Sequence, residues 1–152
     1  MLSGKKDSSL VQVVWFSWKD RWHPKAGGAE SVSGEIMDRL ARDGHSVTLF
    51  TACYANSKPF ETINGVQIYR TGGTLTVYLL SAFRYFRHKK PYKKVDVLID
   101  EMNTIPFFAG LFVRSSRKIL LSYQLAREVW FYQTPPIVAQ IGYILEYIYL
   151  RL

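Results

Sequence analysis

The chain is poor in cysteine: Cys53 is the only one in 152 residues. No disulfide can form within it, so a reducing compartment, the cytoplasm, is the simpler expectation. Cys53 itself reads as a small buried residue at a strand end with no chemistry assigned to it. Long apolar runs are missing too. The nearest approach to the ~18–20 residues of a bilayer span is residues 135–150, and Gln140 and Glu146 interrupt it. Nor does the start read as a secretory leader. Lys5, Lys6 and Asp7 precede a short apolar stretch, residues 10–16, with no small-residue cleavage site. The dinucleotide pattern G-x-G-x-x-G is absent after the first strand-like run, and the P-loop pattern is absent as well, which argues against a nicotinamide dehydrogenase or an NTPase. No carboxylates or histidines cluster at ligand spacing, so neither a metal nor another cofactor is expected.

Acidic residues are missing altogether between Glu61 and Asp96. That interval holds Arg70, Arg84, Arg87, Lys89, Lys90, Lys93 and Lys94, with His88 among them, and it dominates a net charge of +8. Two readings stand side by side: an anion-attracting patch, or an ordinary solvated helix end and loop. Residues 82–94 (AFRYFRHKKPYKK) interleave aromatics with bases, as membrane-surface segments do. Arg84, Arg87, Lys89, Lys90, Lys93 and Lys94 are therefore the candidate membrane or anion patch, and an anionic membrane surface is a candidate partner. No RRM, KH or helix-turn-helix pattern accompanies the charge, so nucleic acid is not expected as a partner.

What the chain does contain is an alternation of strand-like and helix-like segments. Residues 11–18 (VQVVWFSW) read as a strand buried on both faces. A helix begins near Ala29, with Ala29, Val32, Ile36, Met37 and Leu40 as its apolar positions, Glu30 in its first turn and Gly44 as its stop. Residues 46–52, 66–70, 95–100 and 118–123 read as further strands, with Asn64-Gly65 as a turn. Helices are expected over residues 75–88, briefly over 106–113, and from Pro135-Pro136 to Arg151. The last has an apolar stripe of Ile137, Ile141, Ile144, Leu145, Ile148 and Leu152. This order predicts an α/β fold, a Rossmann-like parallel sheet with helices on both faces. Residues 1–9 read as a flexible tail and residues 10–152 as one domain, incomplete at its C-terminus. An open sheet edge there, with Tyr143, Tyr147 and Tyr149 exposed, predicts self-association.

In open parallel sheets, ligands sit beyond the carboxyl ends of the strands, where strand order reverses. The loop after the first strand carries Gly27-Gly28 directly before a helix. Glycines let backbone N–H groups approach an anion, and the helix start adds its positive end, so a phosphate or carboxylate site is one reading. A tight turn packing helix onto sheet is the other.

At this point a resemblance is specific. His23-Pro24-Lys25-Ala26-Gly27-Gly28-Ala29-Glu30, followed by Leu40 and Gly44-His45-Ser46-Val47-Thr48-Leu49, resembles the opening of the family-4 retaining glycosyltransferases of the GT-B fold. The segments 99–108 (IDEMNTIPFF) and 124–131 (QLAREVWF) are similar to that family as well, so the likeness runs through nearly the whole chain after Leu10. It implies an N-terminal, acceptor-side domain that works opposite a donor-binding domain. Gly27 and Gly28 would then lie against the donor diphosphate. Glu101, Asn103, Tyr123, Arg127 and Glu128 would line the acceptor side of the cleft, for a glycan or lipid-linked acceptor. Tyr123 stands where many relatives have a histidine, and at an unperturbed pKa of ~10 it is a poor base. His23 and His45 do not replace that histidine by position, and His45 reads as a turn residue. The paired glutamates eight positions apart that hold a nucleotide-sugar donor in relatives are not in this chain. The resemblance thus implies transfer of a sugar to an acceptor hydroxyl, with no activity from the chain alone. The alternative is a basic module that binds a membrane surface or acceptor lipid without catalysis.

Overall fold

A computed structural model describes residues 10–88, 95–103, 105–123, 131–132 and 135–150. The tail 1–9, Lys89, Lys90, Lys93, Lys94, Arg127, Glu128 and the side chain of Tyr149 lie outside the described residues. Six strands form one sheet: β1 (Gln12–Phe16), β2 (Ser46–Thr51), β3 (Phe60–Ile63), β4 (Val66–Arg70), β5 (Val95–Met102) and β6 (Ser115–Ser122). Among the described residues three α-helices accompany them: α1 (Gly28–Arg42), α2 (Val77–His88) and α3 (Pro136–Tyr149). The sheet order is β3-β4-β2-β1-β5-β6. Every pairing is parallel except β3 with β4. The chain works outward from β1 in one direction, then crosses to its other side at β5, so strand order reverses between β1 and β5.

Alternation along β1 assigns the two faces. Val13 and Trp15 pack with Met37 of α1 and with Val47, Leu49, Val66 and Ile68. Val14 and Phe16 pack on the other face with Val77 and Tyr85 of α2 and with Phe107 and Val113. The expected α/β fold with helices on both faces is thus the observed one. Phe16 is the centre of the α2-side core: it stacks on Phe50 at 5.0 Å between ring centroids and meets Phe107 and Phe112 at 5.6 and 5.7 Å.

Several local expectations need correction. Residues 60–63 were not expected as a strand, yet Asn64-Gly65 is a two-residue hairpin turn that pairs Ile63 with Val66. Both turn residues have positive φ, 51° and 85°, the geometry that suits Asn-Gly between antiparallel strands. Helix α1 is turned from its expected face. Ser33, Gly34, Met37 and Asp38 are buried, while Val32 and Ile36 are exposed. The cause is polar: Arg21 donates to the Gly34 carbonyl at 3.1 Å and pairs with Asp38, which also accepts from Asn64 at 2.8 Å. Gly44 does end this helix, with φ 91°. Its N–H reaches the Ala41 carbonyl and that of His45 the Leu40 carbonyl, a Schellman cap. His45 Nδ1 accepts from Val11 N–H at 3.4 Å, so it is a turn residue as read.

The helix expected over residues 106–113 is reduced to a 3₁₀ turn, Ala109–Leu111. Both oxygens of the buried Asp100 carboxylate accept backbone N–H groups, from Phe107 and Ala109, each at 2.8 Å. That clamp holds the segment as a loop. In α3 the expected stripe faces out: Ile137, Ile141, Ile144, Leu145 and Ile148 are exposed, whereas Ala139, Gly142 and Glu146 are buried. A helix apolar around most of its circumference carries no periodic mark of its inner face, and small residues allow the closest approach. Among the described residues no strand pairs with the outer edge of β6, and Tyr143 and Tyr147 are exposed.

Candidate functional site

The loops beyond the carboxyl ends of β1 and β5 meet the start of α1. Glu101, near the end of β5, is 4% exposed. Trp15 on β1 donates its indole N–H to Glu101 Oε2 at 2.7 Å. Ser33, on the inner face of α1, lies close enough to the same carboxyl group to favour its charged form. Its Oγ lies 2.8 Å from the hydroxyl of Tyr123, just past β6. Four elements thus assemble one polar chain, from the part-exposed Tyr123 hydroxyl through Ser33 to Glu101 and Trp15.

Burial pushes the Glu101 carboxyl up to about 6, and the nearby charge of Glu30 adds to this against the opposing effects of Ser33 and Trp15. Burial likewise raises the Tyr123 hydroxyl, so it stays protonated and is no base, in line with the sequence reading. Either hydroxyl of the Ser33–Tyr123 pair can donate to the other.

A stability consequence follows. Glu101 holds its proton to a higher pH when folded, about 6, than at its ordinary 4.5. Ionising it therefore costs stability, absent below about 4.5 and fully developed above about 6, and worth ~2 kcal/mol. Glu101→Gln keeps an acceptor for Trp15 and Ser33 without the charge. It is expected to be the more stable protein at pH 8 by ~2 kcal/mol and equal to the wild type at pH 4. Urea unfolding at the two pH values checks this.

The glycine loop is less open than the sequence suggests. Gly27 N–H donates to Glu30 Oε2 at 2.7 Å, and Glu30 Oε1 lies 3.2 Å from Lys19 Nζ. The helix start is therefore occupied by a carboxylate of its own, part of a capping box. Burial alone would raise the Glu30 carboxyl, but the N–H groups of Gly27 and Glu30, with Lys19, bring it below the usual range. Gly28 differs. It is exposed at the first helical position, where the N–H has no intrahelical acceptor, and a Cβ there would meet nothing within 4 Å. The fold itself does not require glycine at 28. Asn103 is exposed beyond β5, and no contact joins it to the polar chain among the described residues.

Cavities lie elsewhere among the described residues, two of them large enough to consider. The larger, about 350 Å³, sits under the 3₁₀ turn against Leu98, Phe108, Ile119 and Leu120. Its polar groups are committed internally: Asp100 to the loop N–H groups, and Lys118 Nζ to the Gly110 carbonyl at 2.6 Å. The smaller, about 190 Å³, lies at the carboxyl ends of β1 and β2 among Trp18, Lys19, His23, Lys25 and Cys53. Burial, with Lys19 close by, lowers the His23 imidazole, so it is neutral near pH 7. No group of metal-ligating side chains occurs among the described residues. Of the basic interval, Arg70 is not a surface cation at all but is buried against Asp20 and Glu61. Arg84 stacks over Tyr69 at 5.4 Å, and Arg87 is exposed.

Sequence reasoning named Glu101 and Tyr123 but not Trp15 and Ser33, which lie against them. A serine on the inner face of an amphipathic helix is the only local signal, and it is masked while Val32 and Ile36 are taken as the inner face. Comparison with protein-family models, with curated proteins and with solved structures finds no match.

Proposed function

We propose that this chain is the acceptor-side domain of a retaining glycosyltransferase, which moves a sugar from a nucleotide-sugar donor to an acceptor hydroxyl. The observation that carries this reading is the polar chain Tyr123–Ser33–Glu101–Trp15, set where the parallel strand order reverses. It offers an incoming hydroxyl an acceptor oxygen, backed by a carboxylate that is mostly ionised above pH 6. The resemblance in the Gly27-Gly28 loop, the 99–108 segment and the 124–131 segment supports it from the sequence. In this reading Gly28, with its uncommitted backbone, meets the donor diphosphate, and Arg127 and Glu128 belong to the acceptor side. The protein works in the cytoplasm at the inner face of a membrane, where lipid-linked acceptors are presented. No glutamate pair eight positions apart occurs in these 152 residues, so this chain alone is expected to turn over no donor.

Amide NMR titration tests the proposal. Methyl glycosides at millimolar concentration are expected to shift the amides of Ser33, Glu101 and Tyr123, and Tyr123→Phe is expected to abolish the response. Uridine or guanosine diphosphate is expected to shift Gly28 and to lose that effect in Gly28→Ala. The latter variant should keep or raise its melting temperature, because alanine in place of a helical glycine stabilises by about 0.4–1 kcal/mol where the backbone allows it. If no glycoside of a broad panel moves those three amides, or if the chain alone turns over a sugar nucleotide, the reading is wrong.

A further inference from the structure

Helix α2 is apolar on two opposite sides. Val77, Ser81 and Tyr85 face the sheet and are buried, which accounts for its place in the fold. On the far side lie Leu79 and Phe83, continued by Leu75 just ahead of the helix. Spacings of four set them in one stripe along the axis. Leu75 is 83% exposed, Leu79 79% and Phe83 63%, so no described part of the chain covers them. Single exposed apolar residues are ordinary, but a contiguous row on one helix face marks an interaction surface.

The chemistry of the stripe favours lipid over protein. Positions 75, 79 and 83 are all leucine or phenylalanine, with no polar group among them to fix the register of a protein partner, as the polar rim of an interface does. Arg87 is exposed at the helix's C-terminal end, Arg84 lies beside it over Tyr69, and no acidic residue falls between Glu61 and Asp96. Burial, with Arg84 and Arg87, holds His88 neutral near pH 7, so those two arginines are the described cations of this element. An apolar stripe that ends at the exposed Arg87, with no acidic residue near it in the sequence, matches an acyl layer beneath anionic head groups. Because α2 follows parallel strand β4, Leu75 and Leu79 lie at the same end of the sheet as the Tyr123–Glu101 chain.

We propose that α2 is a membrane-inserting helix: Leu75, Leu79 and Phe83 enter the acyl boundary of an anionic bilayer, with the exposed Arg87 at its head-group phosphates. The proposal deepens the inner-face placement above and is independent of sugar transfer. Vesicle sedimentation tests it, using phosphatidylcholine alone and phosphatidylcholine with about a third phosphatidylglycerol. The wild-type chain is expected to pellet with the anionic vesicles, and Leu79→Ser/Phe83→Ser to bind them roughly tenfold or more weakly. Val32→Ser/Ile36→Ser, which removes two apolar residues that are also exposed, though less so, from α1, is expected to bind as the wild type does. Leu75→Ser, ahead of the helix and unable to disturb it, should weaken binding in the same direction. If the wild type pellets and the α2 variants pellet equally well, the insertion face is wrong while the membrane placement stands. If the wild type pellets with neither vesicle, both are wrong. If the α2 variants instead lower the mass seen by light scattering without lipid, and leave vesicle binding unchanged, the stripe joins two copies and the proposal is overturned.

Discussion

Arg70→Met is expected to destabilise the protein by about 3–5 kcal/mol, the range for removing one partner of a buried ion pair. The Arg70 side chain is fully buried. Its Nε donates to Asp20, Nη1 to Glu61 and, at 3.3 Å, to the Lys58 carbonyl, and its guanidinium lies 5.1 Å from the Tyr54 ring centroid. Asp20 is buried too, and its other oxygen accepts from Trp22 N–H at 2.9 Å. Methionine fills much of the same volume, so the loss is electrostatic: a carboxylate is stranded without its cation. Removing both charges should therefore recover most of the loss, because buried pairs replaced together are often near neutral. Urea midpoints of Arg70→Met and Arg70→Met/Asp20→Asn measure the two halves of the argument. A single-variant loss below about 1 kcal/mol, the range for an exposed pair, would show that the site is open to water.

Phe16→Ala is expected to cost a similar ~3–5 kcal/mol, through a cavity rather than a charge. The ring is fully buried and touches aromatic neighbours from β2, from α2 and from the segment around the 3₁₀ turn. No single neighbour can relax into the space without leaving the others. Phe83→Ala is the matched control on α2. Its ring is largely exposed, so a change within about 0.5 kcal/mol is expected in the absence of lipid. Thermal or urea unfolding of the two variants makes the comparison. A loss under 1 kcal/mol at Phe16 would mean that the α2-side core is loosely packed.

The sheet was legible because parallel strands buried on both faces leave unbroken apolar runs, as in residues 11–18, 46–52 and 95–100. Strand β3 was not legible: Phe60-Glu61-Thr62-Ile63 is short, half polar and at an edge, and only the Asn64-Gly65 turn betrays it. The inner faces of α1 and α3 were misjudged for opposite reasons. In α1 a polar network around Arg21 and Asp38 outweighs the apolar stripe. In α3 most of the circumference is apolar, and the buried side is made by Ala139, Gly142 and Glu146 rather than by the large apolar residues. Glu101 and Tyr123 were reached through resemblance. What lies against them, Ser33 and Trp15, depends on contacts between residues 90 and 86 positions apart, which no local pattern encodes.

Those separations bear on how the molecule comes into being. The β3–β4 hairpin turns on two residues and can close on the microsecond scale, and β2 and β4 are near neighbours in the chain. Strand β1, by contrast, waits for β5 across most of the polypeptide, and pairings that close so large a loop form late because their entropic cost precedes their reward. The half of the sheet that carries no candidate chemistry is thus the half that assembles first. The Trp15–Glu101 and Ser33–Tyr123 contacts complete only with the final docking of β5 and β6. The side-chain contacts at this site are therefore expected to belong to the finished fold and to be missing from partly folded chains.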